Sequence, residues 1–240
     1  MKHNFIDRYG GLDSPLHLLD ARTKILGFLA LIVAVLLVPA ERGAVLTGFF
    51  FLVAILAGVS QIPLGFAVGR TLVLLPFILL AGLGARWNGL DAARLGAFVM
   101  RSVLCLLLLI LLTNTTRFPE LLRGLSKLGC PRVLALNLGF LHRYLFVLTD
   151  EVLRMRQARD CRRVGRAPAP AELRLLGSML GSLLVRSFER GDRMYQAMLS
   201  RAFAGEFRVL DQRRFGWLDL AFLAGVALVI GAAYHFAHRP

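Results

Sequence analysis

A basic block set between long apolar runs is the feature that most limits how this chain can fold. Residues 117–214 contain 19 of the 29 lysines and arginines of the 240-residue chain. Four apolar runs precede the block and one follows it: Ile25–Val38, Ala44–Val59, Thr71–Ala85, Leu95–Thr113 and Leu218–Phe236. Short basic segments between membrane spans are retained in the cytoplasm. The pattern therefore predicts a multi-pass membrane protein with a cytoplasmic insert.

The composition agrees with a membrane protein, because 57% of the residues are hydrophobic and the mean hydropathy is +0.64, which is apolar for a soluble domain. The shortest runs cover only ~21 Å of the ~30 Å hydrocarbon core, so we expect them to extend into their flanks or to be shielded by neighbouring helices. The predicted fold is all-α, with about five transmembrane helices. Its segments are an N-terminal cytoplasmic stretch (1–24), spans one to four (25–116), cytoplasmic helices (117–214), and the last span and tail (215–240).

The cytoplasmic insert also fixes the orientation, which places the N-terminus in the cytoplasm and, with five spans, the C-terminus outside. Val133–Leu148 is apolar enough to be a sixth span, which would move the C-terminus inside. Asn137, His142 and Arg143 interrupt it, and polar groups at that density are costly in a bilayer. We interpret the stretch as lying along the cytoplasmic face. Arg101, inside the fourth run, is expected to snorkel toward the outer interface, which we favour, or to face a protein interior.

Several function classes find no support in the sequence. The net charge of +14 is explained by cytoplasmic retention, and no nucleic-acid motif accompanies it. No phosphate-binding loop or catalytic cluster occurs, so we predict neither an enzyme nor a resident cofactor. Cys105, Cys130 and Cys161 form no disulfide or zinc pattern. His235 and His238, three apart, are more typical of an interfacial anchor than of a metal site.

The basic block divides into three predicted helices. A short one begins near Pro119 and stops at Gly129–Pro131. A second runs from about Arg132 to Arg163, and a third from about Ala171 to Phe203, with apolar residues at helical spacing on one face. Helices of this length outside a bilayer usually brace against each other or against a partner.

The two long helices end in the same pattern, A-x-x-x-R-x, repeated 39 residues apart. The helix dipole alone would favour an arginine at either end. The repetition supports a second interpretation, in which each arginine projects into a groove of another protein. The central residues are Arg162 and Arg201, and those flanking them are Ala158, Cys161 and Arg163 in the first copy and Ala197, Ser200 and Ala202 in the second.

With these motifs the chain resembles the transmembrane coupling component of energy-coupling factor transporters, of the cobalt type called CbiQ. The most specific likeness is the N-terminal stretch Ile6–Lys24, which includes Ser14-Pro15-Leu16-His17 and Asp20-x-Arg22-x-Lys24. Leu125–Pro131, Arg143-Tyr144 and the twin arginine motifs also match, so the likeness covers essentially the whole chain. The family's helix-end motif often continues with glycine after the arginine, whereas this chain has Arg163 and Ala202 there.

The resemblance implies a mechanism that the residues alone do not give. Such a component links two ATP-binding-cassette ATPases, which bind ATP and Mg²⁺, to a CbiM-like membrane subunit that captures the substrate. The arginine-tipped helix ends dock into the ATPases, and closure of the ATPases moves the coupling helices and tilts the capture subunit. The implied location is the inner membrane of a bacterial cell and the implied substrate is cobalt. The alternatives are a nickel or vitamin importer of the same type, or a stand-alone permease or membrane enzyme that handles an anionic substrate.

Overall fold

The protein is all-helical in the parts of the chain that the structure describes. This computed structural model describes Ser14, Leu16, Gly165, Gly205 and the ranges 19–39, 42–61, 63–87, 91–162, 168–203 and 216–238. Eight helices lie within them: α1 (Ala21–Leu37), α2 (Gly43–Val59), α3 (Leu64–Trp87), α4 (Ala92–Thr115), α5 (Phe118–Lys127), α6 (Arg132–Arg162), α7 (Ala169–Leu199) and α8 (Trp217–His238).

The helices form two compact units. Met1–Gly129 together with Leu210–Pro240 makes the first unit, called here the apolar unit, and Cys130–Val209 makes the second, called the coupling unit. The boundary falls after the short helix α5, so α5 groups with the apolar helices and not with the two long helices that follow it.

All five apolar runs predicted from the sequence lie in helices. Within the described residues, Arg94–Thr115 and Trp217–Phe236 are long and apolar enough to cross a membrane, with mean hydropathies of 2.6 and 1.9. Gly43–Val59 and Val68–Gly84 are shorter apolar helical stretches. The all-helical class is therefore confirmed, and the count of five spans stays a prediction.

Helix α1 is central to the apolar unit and packs against α4, α5 and α8. Its side chains Phe28, Leu31 and Val35 are fully buried, and α4 contributes Leu104 and Leu108 to the same core. The ring of Phe222 on α8 lies 6.2 Å from that of Phe28. Where the unfolded chain would expose these side chains to water, their burial is the main contribution to the free energy of folding. Between helices inside a bilayer, van der Waals contact between closely packed side chains makes that contribution instead.

Polar groups at one end of the unit connect its first and last helices. The Asp219 carboxylate accepts the backbone N–H of Gly216 at 2.9 Å, which caps the start of α8, and also the backbone N–H of Asp20 at 2.8 Å, just before α1. Nearby in the sequence, Lys24 is fully buried and donates from Nζ to the carbonyl of Thr115 at 2.9 Å. Buried polar groups are tolerated when they are paired in this way.

Arginines bind helix C-terminal carbonyls at the other end of the unit. Arg101 of α4 donates from Nη2 to the carbonyl of Val38, which follows α1, and Arg42 donates from Nη1 to that of Phe236 in α8. A cation at a helix C-terminus complements the negative end of the dipole. Arg101 therefore has a protein partner, as in the second of the two expectations for this residue.

Helix α5 packs on the start of α1 because Gly124 lacks a side chain. A Cβ on Gly124 would lie 2.9 Å from Cδ1 of Ile25 and 3.2 Å from the carbonyl carbon of Ala21. The short helix predicted to begin near Pro119 is confirmed as α5, and the glycine at position 124 allows it to approach α1 closely.

Candidate coupling surface

The coupling unit is built on two helices of 31 residues each, α6 and α7. Helix α6 ends with arginines in its last turn, where they complement the dipole. Helix α7 starts with Pro170 and Glu172 in its first turn, both favourable at that position. The predicted long helices are confirmed, with bounds shifted by a few residues at their ends.

The two helices run antiparallel. Tyr144 Oη of α6 lies 2.7 Å from Met194 Sδ of α7, and Glu151 contacts Arg186 farther along. The C-terminal end of α6 thus lies beside the N-terminal part of α7, where Arg162 and Leu175 line the same cavity.

None of the described side chains in α6 or α7 is buried. Several large apolar side chains of α7 are exposed to solvent, including Leu173, Leu176, Leu180, Leu184 and Phe188. Apolar surface on this scale marks a site of interaction with a protein or a membrane. The coupling unit therefore presents surface to other molecules instead of enclosing a core.

A carboxylate connects the two helices at mid-length. Glu151 Oε1 accepts a hydrogen bond from Arg186 Nη1 at 2.6 Å, and Oε2 accepts one from Arg154 Nη2 at 2.9 Å. The hydrogen bonds from Arg186 and then from Arg154 lower the pKa of the Glu151 carboxyl from its ordinary value.

A cationic cleft of 630 Å³ extends from Glu151 toward the end of α6. Four arginines and a single carboxylate line it. Its lining residues are Glu151, Arg154, Met155, Ala158, Arg159, Arg162, Leu175, Met179 and Arg186. Such a surface favours acidic partners.

The first arginine motif lies at the end of α6. Ala158, Cys161 and Arg162 are exposed, and Cys161 is a free thiol. Arg159 is engaged by Asp160 at 2.8 Å, whereas Arg162 has no ion pair with any residue that the structure describes. Arg163 lies outside the described residues.

The second motif forms the turn after α7, and Ala197, Ser200, Arg201 and Ala202 are all exposed. The N–H of Phe203 donates to the carbonyl of Met198 at 3.1 Å, and that of Ala202 to Leu199 at 3.0 Å, which is the Schellman pattern of helix termination. Ala202 has φ of 50°, a left-handed conformation that glycine adopts at less cost. The position after the arginine of the second motif is therefore one that favours a glycine.

The structure does not bring Arg162 and Arg201 together. Arg162 lies beside Leu175 in the cleft, whereas Arg201 follows the opposite end of α7. The helix between Leu175 and Leu199 is roughly 36 Å long. Each arginine thus marks a separate end of one antiparallel helix pair. Arg201, like Arg162, has no ion pair within the described part of the chain.

Sequence reasoning missed two carboxylates, Glu151 and Asp219. Each has one partner from a segment distant in sequence, Arg186 for Glu151 and the backbone of Asp20 for Asp219. No cluster of histidine, cysteine, aspartate and glutamate able to hold a metal ion occurs among the described residues.

Comparison with known proteins identifies the family. The family model described as CbiQ, cobalt transport protein, matches residues 13–210. The cobalt transport protein CbiQ of Rhodobacter capsulatus is 34% identical over 198 residues, which cover 78% of this chain and 79% of the relative. The energy-coupling factor transporter transmembrane protein EcfT of Heliobacterium modesticaldum is 27% identical, with 85% of this chain and 86% of the relative covered.

A nickel protein matches over a shorter length. The nickel permease LarQ of Lactiplantibacillus plantarum is 34% identical over 115 residues, 48% of this chain and 41% of the relative. The likeness thus extends to relatives named for different metals, while the family match covers most of the sequence. The chain belongs to the CbiQ/EcfT family of membrane proteins, the transmembrane components of energy-coupling factor transporters, and is a non-catalytic transporter subunit.

Proposed function

We propose that this protein couples two ATP-binding-cassette ATPases to a substrate-capture membrane subunit, and that the complex imports cobalt. Arg162 docks one ATPase and Arg201 docks the other. The ATPases bind ATP and Mg²⁺, and this chain transmits their movement without taking part in the chemistry. The apolar unit lies in the bacterial inner membrane, with the N-terminus and the coupling unit in the cytoplasm.

The placement of the two motif arginines is the observation that supports this proposal most. Both are exposed at helix ends and neither is neutralised by a described residue. Because roughly 36 Å of helix separates the two ends, two different partner subunits can each receive one. An arginine fork can make paired hydrogen bonds to a carboxylate, which gives such a contact its geometry.

The exposed apolar face of α7 supports the proposed membrane partner. Leu173, Leu180 and Phe188 are each more than half exposed, and they repeat at helical spacing. An uncovered face of this kind needs an apolar partner. In the proposed complex the capture subunit covers it, so movement of α7 is passed to that subunit directly.

Cobalt is the proposed substrate because the family model and the Rhodobacter capsulatus relative bear that name over most of the chain. Uptake of radioactive cobalt by cells that express this chain with its ATPases and capture subunit is expected to exceed uptake without it. Unlabelled cobalt should compete better than nickel. Stronger competition by nickel would assign the transporter to nickel.

The docking assignment predicts a change in stoichiometry. Truncating an interfacial charge that is paired and desolvated costs about 2–5 kcal/mol. Arg162→Ala or Arg201→Ala should therefore leave one ATPase per complex in native mass spectrometry, and the double variant should leave none. Arg193→Ala, which removes an exposed arginine from the body of α7, is the matched control. Equal loss in the control would mean that overall charge, not the helix ends, holds the ATPases.

The orientation is tested with a native residue. Cys161 is exposed beside Arg162, so a Cys105→Ser, Cys130→Ser variant carries a single reporter at the proposed docking site. A membrane-impermeant maleimide should label it in inverted vesicles and not in intact cells. Rapid labelling of intact cells would place the coupling unit outside and overturn the proposal.

A further inference from the structure

Charged side chains meet between α6 and α7. No described side chain of either helix is fully buried, and apolar residues such as Leu148, Met155 and Leu183 are only partly buried. The cleft between them brings Arg154, Arg159 and Arg162 of α6 toward Arg186 of α7. Like charges at this density repel, and they need a carboxylate among them.

Asp160 pairs with Arg159 on α6, and Glu151 is the carboxylate that contacts arginines of both helices. Its side chain is 14% exposed, whereas those of Arg154 and Arg186 are 64% and 57% exposed. Both of its oxygens are engaged, one by Arg154 on its own helix and one by Arg186 on the other. It lines the cleft on the Arg162 side and also a second cavity toward Arg190 and Arg193.

The position of Glu151 along the helices matters as much as its partners. About 16 Å of α6 separate it from Arg162, and about 22 Å of α7 separate Arg186 from the turn that carries Arg201. The contact therefore joins the two helices between their functional ends.

We propose that Glu151 is a positioning residue of the transport cycle: by binding Arg186 it fixes the point where α6 and α7 are joined, so that movement driven by one ATPase is transmitted to both helices. This inference rests on the proposed coupling function. Glu151 contacts neither ATP nor substrate in this scheme, and it acts through the geometry of the helix pair.

The test uses the whole complex in liposomes and measures cobalt transported per ATP hydrolysed. Glu151→Gln keeps the size of the side chain and removes its charge. The ATPases should still co-purify and hydrolyse ATP, while transport per ATP falls at least about two-fold, the fold-change that corresponds to the weakest coupling between contacting residues. Arg186→Gln removes the contact from the other side and should give the same loss.

Glu189→Gln is the matched control, because Glu189 pairs at 3.8 Å with Arg193 on its own helix. It should leave transport per ATP unchanged. The charge-swapped pair Glu151→Arg with Arg186→Glu should recover part of the transport that Glu151→Arg alone loses. Unchanged transport per ATP in both Glu151→Gln and Arg186→Gln would overturn the assignment.

A second readout separates this inference from the proposed function. Spin labels at positions 156 on α6 and 180 on α7, both exposed, report the distance between the helices without any ATPase present. Glu151→Gln should broaden that distance distribution and Glu189→Gln should not. Absence of ATPases from the purified wild-type complex would refute the proposed function alone, and a distribution unaffected by Glu151→Gln would refute the positioning role alone.

Discussion

The apolar unit and the coupling unit are both helical, yet they are held together by different means. In the apolar unit, Phe28, Leu31 and Leu104 are fully buried, and even a lysine is enclosed. In the coupling unit no described side chain of α6 or α7 is buried, and a carboxylate bound to two arginines joins the helices. The first unit is held by its own packing, whereas the second leaves large apolar side chains of α7 exposed. Substitutions of the same kind in the two units should therefore have different consequences.

The largest contrast is expected from the same substitution at two helical glycines. Gly124→Ala in α5 would place a Cβ 2.9 Å from Ile25, and overpacking of this kind costs about 1–3 kcal/mol. Gly124→Leu should prevent stable folding. Gly181→Ala in α7 meets no atom within 4 Å and should stabilise its helix by about 0.5–1 kcal/mol. Thermal unfolding in detergent measures both, and equal effects would remove the distinction between the units.

A second contrast concerns carboxylates. Asp219 is buried and accepts two backbone N–H groups, and an asparagine has one oxygen to replace two. Asp219→Asn should leave one buried donor unsatisfied, at a cost of about 1–3 kcal/mol. Asp192→Asn, at an exposed position on α7, should leave the unfolding midpoint unchanged. A neutral Asp219→Asn would mean that the link between α1 and α8 carries no stability.

A smaller change in stability is expected from substitutions in and beside the turn after α7. Ala202 has φ of 50°, and relieving a left-handed alanine with glycine should stabilise the end of the helix by about 1 kcal/mol. Ala197→Gly, within the last turn of α7, should instead destabilise it by about 0.5–1 kcal/mol. Hydrogen exchange of the amides near Leu199 measures both changes, and slower exchange in Ala202→Gly with faster exchange in Ala197→Gly is the expected pattern.

The smallest predicted effect is a pH dependence of the contact between α6 and α7. Arg186 and Arg154 lower the pKa of Glu151 in the folded protein, and Arg190 and Arg193 of α7 line the cavity on its other side. A carboxyl with a lowered folded pKa adds stability above its unfolded value of about 4.3 and loses it as the pH falls through the folded value. The distance between labels at positions 156 and 180 should stay constant at neutral pH and lengthen only in acid. In Glu151→Gln it should already be broadened at neutral pH, and acid should not change it further.

Much of the fold follows from patterns within single segments. Apolar runs, the proline in the first turn of α5 and the amphipathic spacing of α7 predict helices without knowledge of their neighbours, because helix formation depends on residues close in sequence. The repeated arginine motif likewise marks the helix ends. The roles of Glu151, Asp219 and Arg101 were not predictable in this way, since each depends on a partner at least 35 residues away.

The sequence by itself determined the helical class, the basic block, the family and the two arginines at the helix ends. Each of these can be predicted from the local composition of the sequence and the spacing of its residues. Only the tertiary structure decided that α5 packs with the apolar helices, that Arg162 and Arg201 lie at opposite ends of an antiparallel pair, and that Ala202 is left-handed. Those facts depend on which segments contact each other and on the backbone geometry at a helix end. Neither can be predicted from the pattern of side chains along a single helix.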